Sequence, residues 1–154
     1  MQRPDRMKTE PEFLHDVLER AQEISVAFPT EGAPYVVPLN FYAEGENIYI
    51  HTAPECLKFD MIRKNPQVGF CIYTDVRIDQ KHSTTYYCSV IGSGSASIVT
   101  DPAEKALCLE GITRKFKSYC PVPAPAKMIE RTGVFRIHIE KWTGKASYEK
   151  EYKE

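Results

Sequence analysis

Residues 35–58 read YVVPLNFYAEGENIYIHTAPECLK, a stretch that changes from β-strand to α-helix character near its end. Its β-branched and aromatic residues predict strands at Tyr35–Tyr42 and Ile48–His51, joined by a hairpin loop at Glu44–Asn47. Pro54 predicts the first residue of a helix, because the N–H group that proline lacks would have no partner at that position. The stretch therefore predicts two antiparallel strands followed by a helix.

The sequence on either side continues with further strand and helix patterns. Thr9–Glu12 predicts a capping box, and apolar residues at helical spacing follow it. Asp101 begins a similar, weaker capping pattern, whereas residues 75–84 are polar and predict a loop. Gly92 and Gly94 predict a bend or β-bulge within a long strand. We expect helices over residues 10–22, 54–65, 102–118 and 126–130, and strands over residues 24–28, 35–42, 48–51, 68–73, 85–99 and 134–139.

The order of these elements indicates the fold class. Strands and helices do not alternate regularly, which disfavours a doubly wound parallel sheet. Six antiparallel strands with helices between them fit a small β-barrel. We therefore expect a mainly β fold with flanking helices, in a single domain over residues 1–154, with a charged tail that frays after about residue 146.

The composition excludes several classes of protein. The 20 Lys and Arg residues nearly balance the 21 Asp and Glu residues, so there is no basic excess of the kind that nucleic-acid binders show. The apolar runs are too short for a membrane span, and the polar N-terminus lacks the apolar core of a signal peptide, so we expect a cytoplasmic protein. The five cysteines and four histidines are scattered, and no metal site is predicted.

The turn from strand to helix after His51 is a candidate anion site. The N–H groups of Glu55 to Leu57 would lack intrahelical acceptors, and such donors favour a phosphate at a helix N-terminus. Thr52 adds a hydroxyl and Lys58 a full positive charge. The alternative is an ordinary surface turn with a solvated lysine, which the residue types alone favour because Glu55 repels an anion.

Two strands contain residues suited to a close approach by a ligand. Pro38 cannot donate to the sheet, which predicts an edge, a bulge or a gap, and Asn40 could then offer its amide to a flat polar ring. An edge strand without a ligand explains Pro38 equally well. The small residues of Tyr87–Gly94 let a ligand or a second chain approach the backbone, although a bulged structural strand is favoured on residue types alone. No GxGxxG motif leading into a helix and no GxSxG motif occurs.

Taken together, these motifs are similar to those of one family. The chain resembles the pyridoxamine 5′-phosphate oxidase-like split barrels, and within them the 5-nitroimidazole-resistance (Nim) branch, over about residues 3–145. The ordered motifs that carry the resemblance are Pro34–Phe41, Ile48–Ala53 with Lys58, Arg63–Val68, Ser89–Gly94, Asp101–Lys105 and Trp142–Lys145.

The resemblance implies a six-stranded antiparallel split barrel that forms a homodimer and binds FMN in two clefts at the dimer interface. The strand around Pro38 would lie along the isoalloxazine ring, the lysine would pair with the phosphate, and the serine would reach the cofactor from the other subunit. The tryptophan would cover the flavin edge, and His51 would touch the substrate as the candidate catalytic residue. The implied cofactor-binding residues are Val37, Pro38, Leu39, Asn40, His51, Thr52, Ala53, Lys58, Ser89 and Trp142.

The implied activity is that of an FMN-dependent oxidoreductase. The flavin would take a hydride from NAD(P)H and pass electrons to a small molecule such as a nitroaromatic. The alternative is a split barrel that holds haem or flavin without turnover, with His51 or His138 as an axial haem ligand; a deazaflavin is a third ligand. The chain has Cys56-Leu57-Lys58 where the family often has Gly-Lys-Lys, so Lys58 and backbone N–H groups would carry more of the phosphate binding.

Overall fold

The computed structural model describes residues 4–118 and 121–147. A short 3-10 helix at Pro4–Arg6 precedes the first strand. The strands are β1 (Met7–Lys8), β2 (Glu23–Phe28), β3 (Tyr35–Asn40), β4 (Tyr42–Glu44), β5 (Asn47–Thr52), β6 (Gln67–Asp79), β7 (Thr84–Ile98) and β8 (Gly133–Ser147). The helices are α1 (Pro11–Arg20), α2 (Leu57–Lys64), α3 (Pro102–Phe116) and α4 (Ala126–Arg131).

The strands form one antiparallel sheet in the order β3-β2-β6-β7-β8-β5-β4, and β1 pairs with β8. Within the described residues the ladder ends on β3 and on β4, so the barrel is not closed by hydrogen bonds. The six strands of six or more residues are the six that the sequence predicts, and β1 and β4 are short additions. The predicted mainly β architecture with flanking helices is confirmed.

The inner face of the sheet encloses the main hydrophobic core. Val26, Phe70, Gly92 and Trp142 follow one another in a cross-strand row on this face. A Cβ atom at Gly92 would overlap the Phe70 ring, so only glycine fits there beside that side chain. The absence of a side chain at this position thus lets an aromatic ring fill the middle of the barrel.

Two features of the predicted strands are confirmed. Pro38 lies on β3, an edge strand whose one partner in the described part of the chain is β2, so the missing N–H costs no ladder bond on the open side. The glycine-rich part of β7 contains a register shift between Ser93 and Gly94 against β8. A Cβ atom at Gly94 would overlap the carbonyl oxygen of His138, which explains why the bulge needs glycine.

The predicted loop over residues 75–84 is wrong. The strands β6 and β7 extend through most of this segment and form a long hairpin, with only residues 80–83 between them. Val76 and Ile78 flank the polar Arg77 and follow the alternation of a strand over three residues. A bulge absorbs the irregular spacing, with Asp75 at a φ of 57° and paired with Arg20 of α1. The last strand is likewise longer than predicted and reaches Ser147; the rest of the predicted frayed tail lies outside the described residues.

The helix caps differ from the sequence predictions in two of three cases. The Asp101 carboxylate accepts a hydrogen bond from the N–H of Glu104 at 2.8 Å, so the predicted cap of α3 is confirmed. The predicted capping box of α1 is wrong, because Glu10 is the N-cap residue and its carboxylate accepts from Thr9 at 3.0 Å. Helix α2 begins three residues later than predicted, at Leu57.

The late start of α2 has a cause outside the local sequence. The Ala53 carbonyl packs so closely against Gly133 of β8 that a Cβ atom there would overlap it. The chain continues in a non-helical conformation through Cys56, whose φ of −158° and ψ of 157° are extended. Contact with β8 therefore delays the helix.

A lysine links two helices over the edge of the core. Lys115 of α3 donates from Nζ to the carbonyl oxygen of Leu18 at 2.8 Å, near the C-terminus of α1, and its Nζ lies 3.7 Å from the centroid of the Phe41 ring. Burial lowers the pKa of Lys115 to about 8. The lysine thus satisfies a carbonyl at the end of α1, where cations are favourable.

Candidate functional site

The face of the sheet opposite the core brings several predicted cofactor residues together. One cross-strand row on this surface, which we call the outer face, contains Pro38, Ser25, Cys71, Ile91 and Thr143. The residues on either side of this row are also small or exposed. They are Val36, Ala27, Gly69 and Ser93 on one side, and Asn40, Tyr73 and Ser89 on the other.

The predicted residues of β3 divide between the two faces of the sheet. Pro38 and Asn40 are exposed on the outer face, whereas Val37 and Leu39 are half-buried against the core. Val37 and Leu39 can therefore meet a ligand on the outer face only through their backbone. The Asn40 amide donates to the Gln22 carbonyl at 3.1 Å, which leaves the Asn40 side-chain oxygen as an acceptor.

The outer face combines small residues with exposed apolar side chains. Val36, Tyr73 and Ile91 are 58%, 58% and 53% exposed, which is unusual for large apolar side chains on one surface. Ser89 donates to the Lys145 carbonyl at 3.4 Å, and partial burial raises the pKa of the Cys71 thiol. The surface can thus accept a flat ligand or a second protein surface at close range.

A second group of predicted residues lies where β5 leads into α2. Thr52 is half-buried, and its Oγ1 lies 3.7 Å from Sγ of Cys56. Among the described residues, the N–H groups of Leu57 and Lys58 have no hydrogen-bond acceptor, and Cys56 provides no side-chain cap. The N–H groups of Glu55 and Cys56 likewise have no acceptor among these residues, so the free donors are the predicted set from Glu55 to Leu57, extended by Lys58.

The charges around this helix start favour an anion. The side chain of Lys58 is half-buried and forms no ion pair within the described part of the chain. Glu55, which weakens the sequence argument, is exposed to solvent. Together with the positive end of the helix dipole, Lys58 and the backbone donors can hold a phosphate.

His51 ends β5 at the edge of this group. Its side chain is solvent-exposed, yet the surrounding protein atoms desolvate the imidazole enough to lower its pKa. The imidazole is therefore neutral at neutral pH, with one nitrogen that donates and one that accepts. Val134 of β8 lies directly opposite His51 in the ladder.

Trp142 lies apart from His51 and Lys58. It is half-buried, packs against the main core and lines a cavity of about 280 Å³ with Ile91, Ser93 and Lys141. Ser93 also lines a neighbouring cavity of about 380 Å³ that reaches Gly69. Trp142 thus lies beside Thr143, at the β8 end of the outer-face row.

A polar network that the sequence does not predict supports β5. Glu104 of α3 accepts hydrogen bonds from the Tyr49 hydroxyl at 3.1 Å and from Arg136 at 2.8 Å. Burial, followed by the charge of Glu104, raises the pKa of Tyr49. Tyr49 precedes His51 by two residues on the same face, so the network anchors the strand that presents His51. The capping position of Glu104 was visible in the sequence, but its distant partners were not.

Comparison with known proteins identifies the family. A family model described as pyridoxamine 5′-phosphate oxidase matches residues 10–146. The chain belongs to this family. The resemblance seen in the sequence motifs is thereby confirmed, and the matched range contains both the outer face and the start of α2.

Solved structures of other proteins show the same fold. A proposed 5-nitroimidazole antibiotic resistance protein from Bacteroides thetaiotaomicron VPI-5482 superposes with a TM-score of 0.77 at 24% identity, covering 90% of this chain and 87% of that one. The FAD and haem binding protein from Mycobacterium smegmatis superposes with a TM-score of 0.76 at 20% identity, covering 94% of this chain and 74% of that one. An FAD-binding protein from Mesorhizobium loti superposes with a TM-score of 0.70 at 21% identity, covering 93% of this chain and 98% of that one.

No curated protein sequence matches the chain significantly. Across residues 4–118 and 121–147, no helix combines the length and hydropathy needed to cross a membrane. Over the same ranges, no three His, Cys, Asp or Glu side chains gather in a way that could hold a metal ion.

Proposed function

We propose that this family member is an FMN-binding homodimer and acts as an oxidoreductase. The observation that carries the proposal is the combination of an exposed, largely apolar outer face with an uncapped helix start and a lysine that has no ion-pair partner among the described residues. The first suits an isoalloxazine ring and the second suits a phosphate. The names of the Mycobacterium smegmatis and Mesorhizobium loti relatives, which bind FAD, support a flavin as the ligand.

The phosphate of FMN fits the donors at the start of α2. Lys58 would pair with the dianion, the N–H groups of Leu57 and Lys58 would donate to its oxygens, and Thr52 would add a hydroxyl. Charge-assisted hydrogen bonds of this kind are about twice as strong as neutral ones. The chain thus offers enough donors for one phosphate despite Cys56-Leu57 in place of further cations.

The outer face supports a cleft shared by two chains. Pro38 and Ile91 belong to the same row but are three strands apart, a separation of about 14 Å across the sheet. Ser89 lies on the same strand as Ile91. It is therefore too far away to contact a ring that lies along Pro38 of its own chain. Two chains facing each other would bring Pro38 of one close to Ser89 of the other.

Bound flavin supplies the electron chemistry, and the protein supplies orientation. Asn40 offers an acceptor and the backbone of β3 offers further polar groups to the ring edge. His51 presents a neutral imidazole that can donate one hydrogen bond to the small molecule that receives the electrons, or accept one from it. We further propose a reduced nicotinamide as the donor, a small nitroaromatic as the acceptor, in line with the name of the Bacteroides relative, and the cytoplasm as the compartment.

The absorbance spectrum of the purified protein tests this function. We expect flavin bands near those of free FMN, saturation at one FMN per chain on titration, and a dimer by sedimentation. The flavin bands should bleach anaerobically when a reduced nicotinamide is added. A protein that takes up no FMN, or that stays monomeric with FMN bound, would contradict the proposal.

A haem protein without turnover is the second candidate. The exposed, neutral His51 can serve as an axial ligand, and the Mycobacterium smegmatis relative is described as binding both FAD and haem. Titration with haem would then produce a Soret band that His51→Ala removes. A Soret band that persists in that variant would assign the haem to another residue or to nonspecific binding.

We expect His51→Ala to lower turnover more than FMN affinity. One neutral hydrogen bond contributes about 0.5–1.5 kcal/mol, so kcat/KM for a nitroaromatic acceptor should fall roughly two- to twelvefold. Steady-state kinetics with FMN-saturated enzyme measures the first effect, and fluorescence titration measures the second. His138→Ala is the matched control, because His138 is also exposed but lies at the far end of the β5–β8 ladder. A loss of FMN with unchanged turnover would make His51 a cofactor contact only.

A further inference from the structure

A cavity outside the proposed flavin site lies where α2, α3 and the start of β8 meet. Its volume is about 310 Å³, at the lower end of the range for small-molecule sites. None of the residues that the sequence assigns to the cofactor lines this cavity. It nevertheless adjoins the proposed catalytic region, because its wall contains Val134, the cross-strand neighbour of His51.

The floor of the cavity is apolar and firmly packed. Phe59, Val99 and Val134 are buried and line it. Gly133 lies at its edge, where a side chain would overlap the Ala53 carbonyl and press on the Phe59 ring. The wall next to the His51 strand is therefore fixed by backbone contacts rather than by mobile side chains, as a preformed site requires.

The rim of the cavity carries an excess of positive charge. Arg63 and Lys105 line it, against a single exposed carboxylate, Glu130. Arg63 is paired with Asp60 at 3.0 Å, which partly neutralises it. Lys105 is half-buried and makes no side-chain hydrogen bond or ion pair within the described residues.

The nearest acidic residue in sequence does not neutralise Lys105. Glu104 is held by Tyr49 and Arg136, on the adjoining row of the sheet. Lys105 therefore places an ammonium group without an ion-pair partner among the described residues at the rim of a cavity with an apolar floor, and Glu130 is the one carboxylate on that rim. A half-buried charge in such surroundings gains more from a bound counter-charge than a fully solvated one does.

We propose that this cavity binds a small aromatic carboxylate, with the ring between Pro54 and Ile98, above the buried floor, and the carboxylate on Lys105. Thr100 lies on the same rim and offers a hydroxyl to the carboxylate. The Thr132 hydroxyl already donates to the Met128 carbonyl at 2.8 Å, so it is left to accept rather than donate. The site does not depend on a flavin.

Titration with 4-nitrobenzoate and with nitrobenzene, followed by protein-observed methyl NMR on the isotope-labelled full chain without added FMN, tests the proposal. The two probes share a ring and a nitro group and differ by the carboxylate. We expect 4-nitrobenzoate to bind more tightly, to shift the Val134 methyl resonances, and to lose roughly tenfold in affinity in Lys105→Gln. Nitrobenzene binding should not change in that variant.

Two further variants give the controls. Lys105→Arg keeps the charge and should retain most of the affinity, which separates a charge effect from a disturbance of α3. Lys127→Gln removes an exposed cation of α4 that does not line the cavity and should bind 4-nitrobenzoate as the unaltered chain does. Equal binding of the two probes, or equal binding by Lys105→Gln and the unaltered chain, would overturn the proposal. Because no FMN is needed, this result is independent of the test of the flavin site.

Discussion

Replacing Phe135 by alanine should lower the free energy of unfolding by about 3–5 kcal/mol, the range for removing a buried phenylalanine. Phe135 has no exposed surface, and it pairs with Ile50 of β5 and Ile98 of β7 from its place on β8. Its ring also meets that of Phe28 edge to face, with 6.2 Å between the centroids. The substitution therefore opens a cavity at a point where four strands contribute side chains, and those strands cannot easily close it.

Urea or guanidinium denaturation followed by far-UV circular dichroism measures this loss. Phe116→Ala is a matched control, because Phe116 lies near the end of α3 and is only half-buried beside the smaller apolar cluster. We expect the control to lose clearly less stability than Phe135→Ala. Similar losses in the two variants would show that the barrel interior is not the main source of stability.

The strands could be predicted because their periodicity is local. Ile24, Val26 and Phe28 alternate with polar or small residues, and each of the three is fully buried. The β6–β7 hairpin was missed for the opposite reason. Residues 75–84 are mostly polar, and Val76 and Ile78, the two apolar residues among them, are exposed, so burial leaves only a short alternation in the sequence.

The candidate site shows the same division between local and distant causes. Pro38 and the glycines of β7 act on their own backbone, so an edge and a bulge could be inferred from the sequence. The start of α2 depends on Gly133, far along the chain from Ala53. The support of β5 depends on contacts of Tyr49 and Arg136 with Glu104, separated by 55 and 32 residues. Such contacts have no signature in a single sequence.

Substituting Lys58 by alanine should weaken FMN binding by about 1.5–3 kcal/mol, the contribution of a hydrogen bond to a charged group. The dissociation constant should therefore rise roughly 10- to 150-fold. The effect should be large here because Cys56 and Leu57 offer no other side-chain cation at the helix start. Quenching of FMN fluorescence on titration measures the change, and riboflavin, which lacks the phosphate, should bind the variant and the unaltered chain equally.

The position of the charge can be separated from its presence. Lys64→Ala removes a cation from the last residue of the same helix, where the dipole repels an anion. Its FMN affinity should match that of the unaltered chain, since Lys64 lies about two turns from the free N–H groups of Leu57 and Lys58. If Lys58→Ala kept its FMN affinity, or weakened riboflavin as much as FMN, the phosphate would not lie at the start of α2, and the outer face would have to hold the flavin in another orientation.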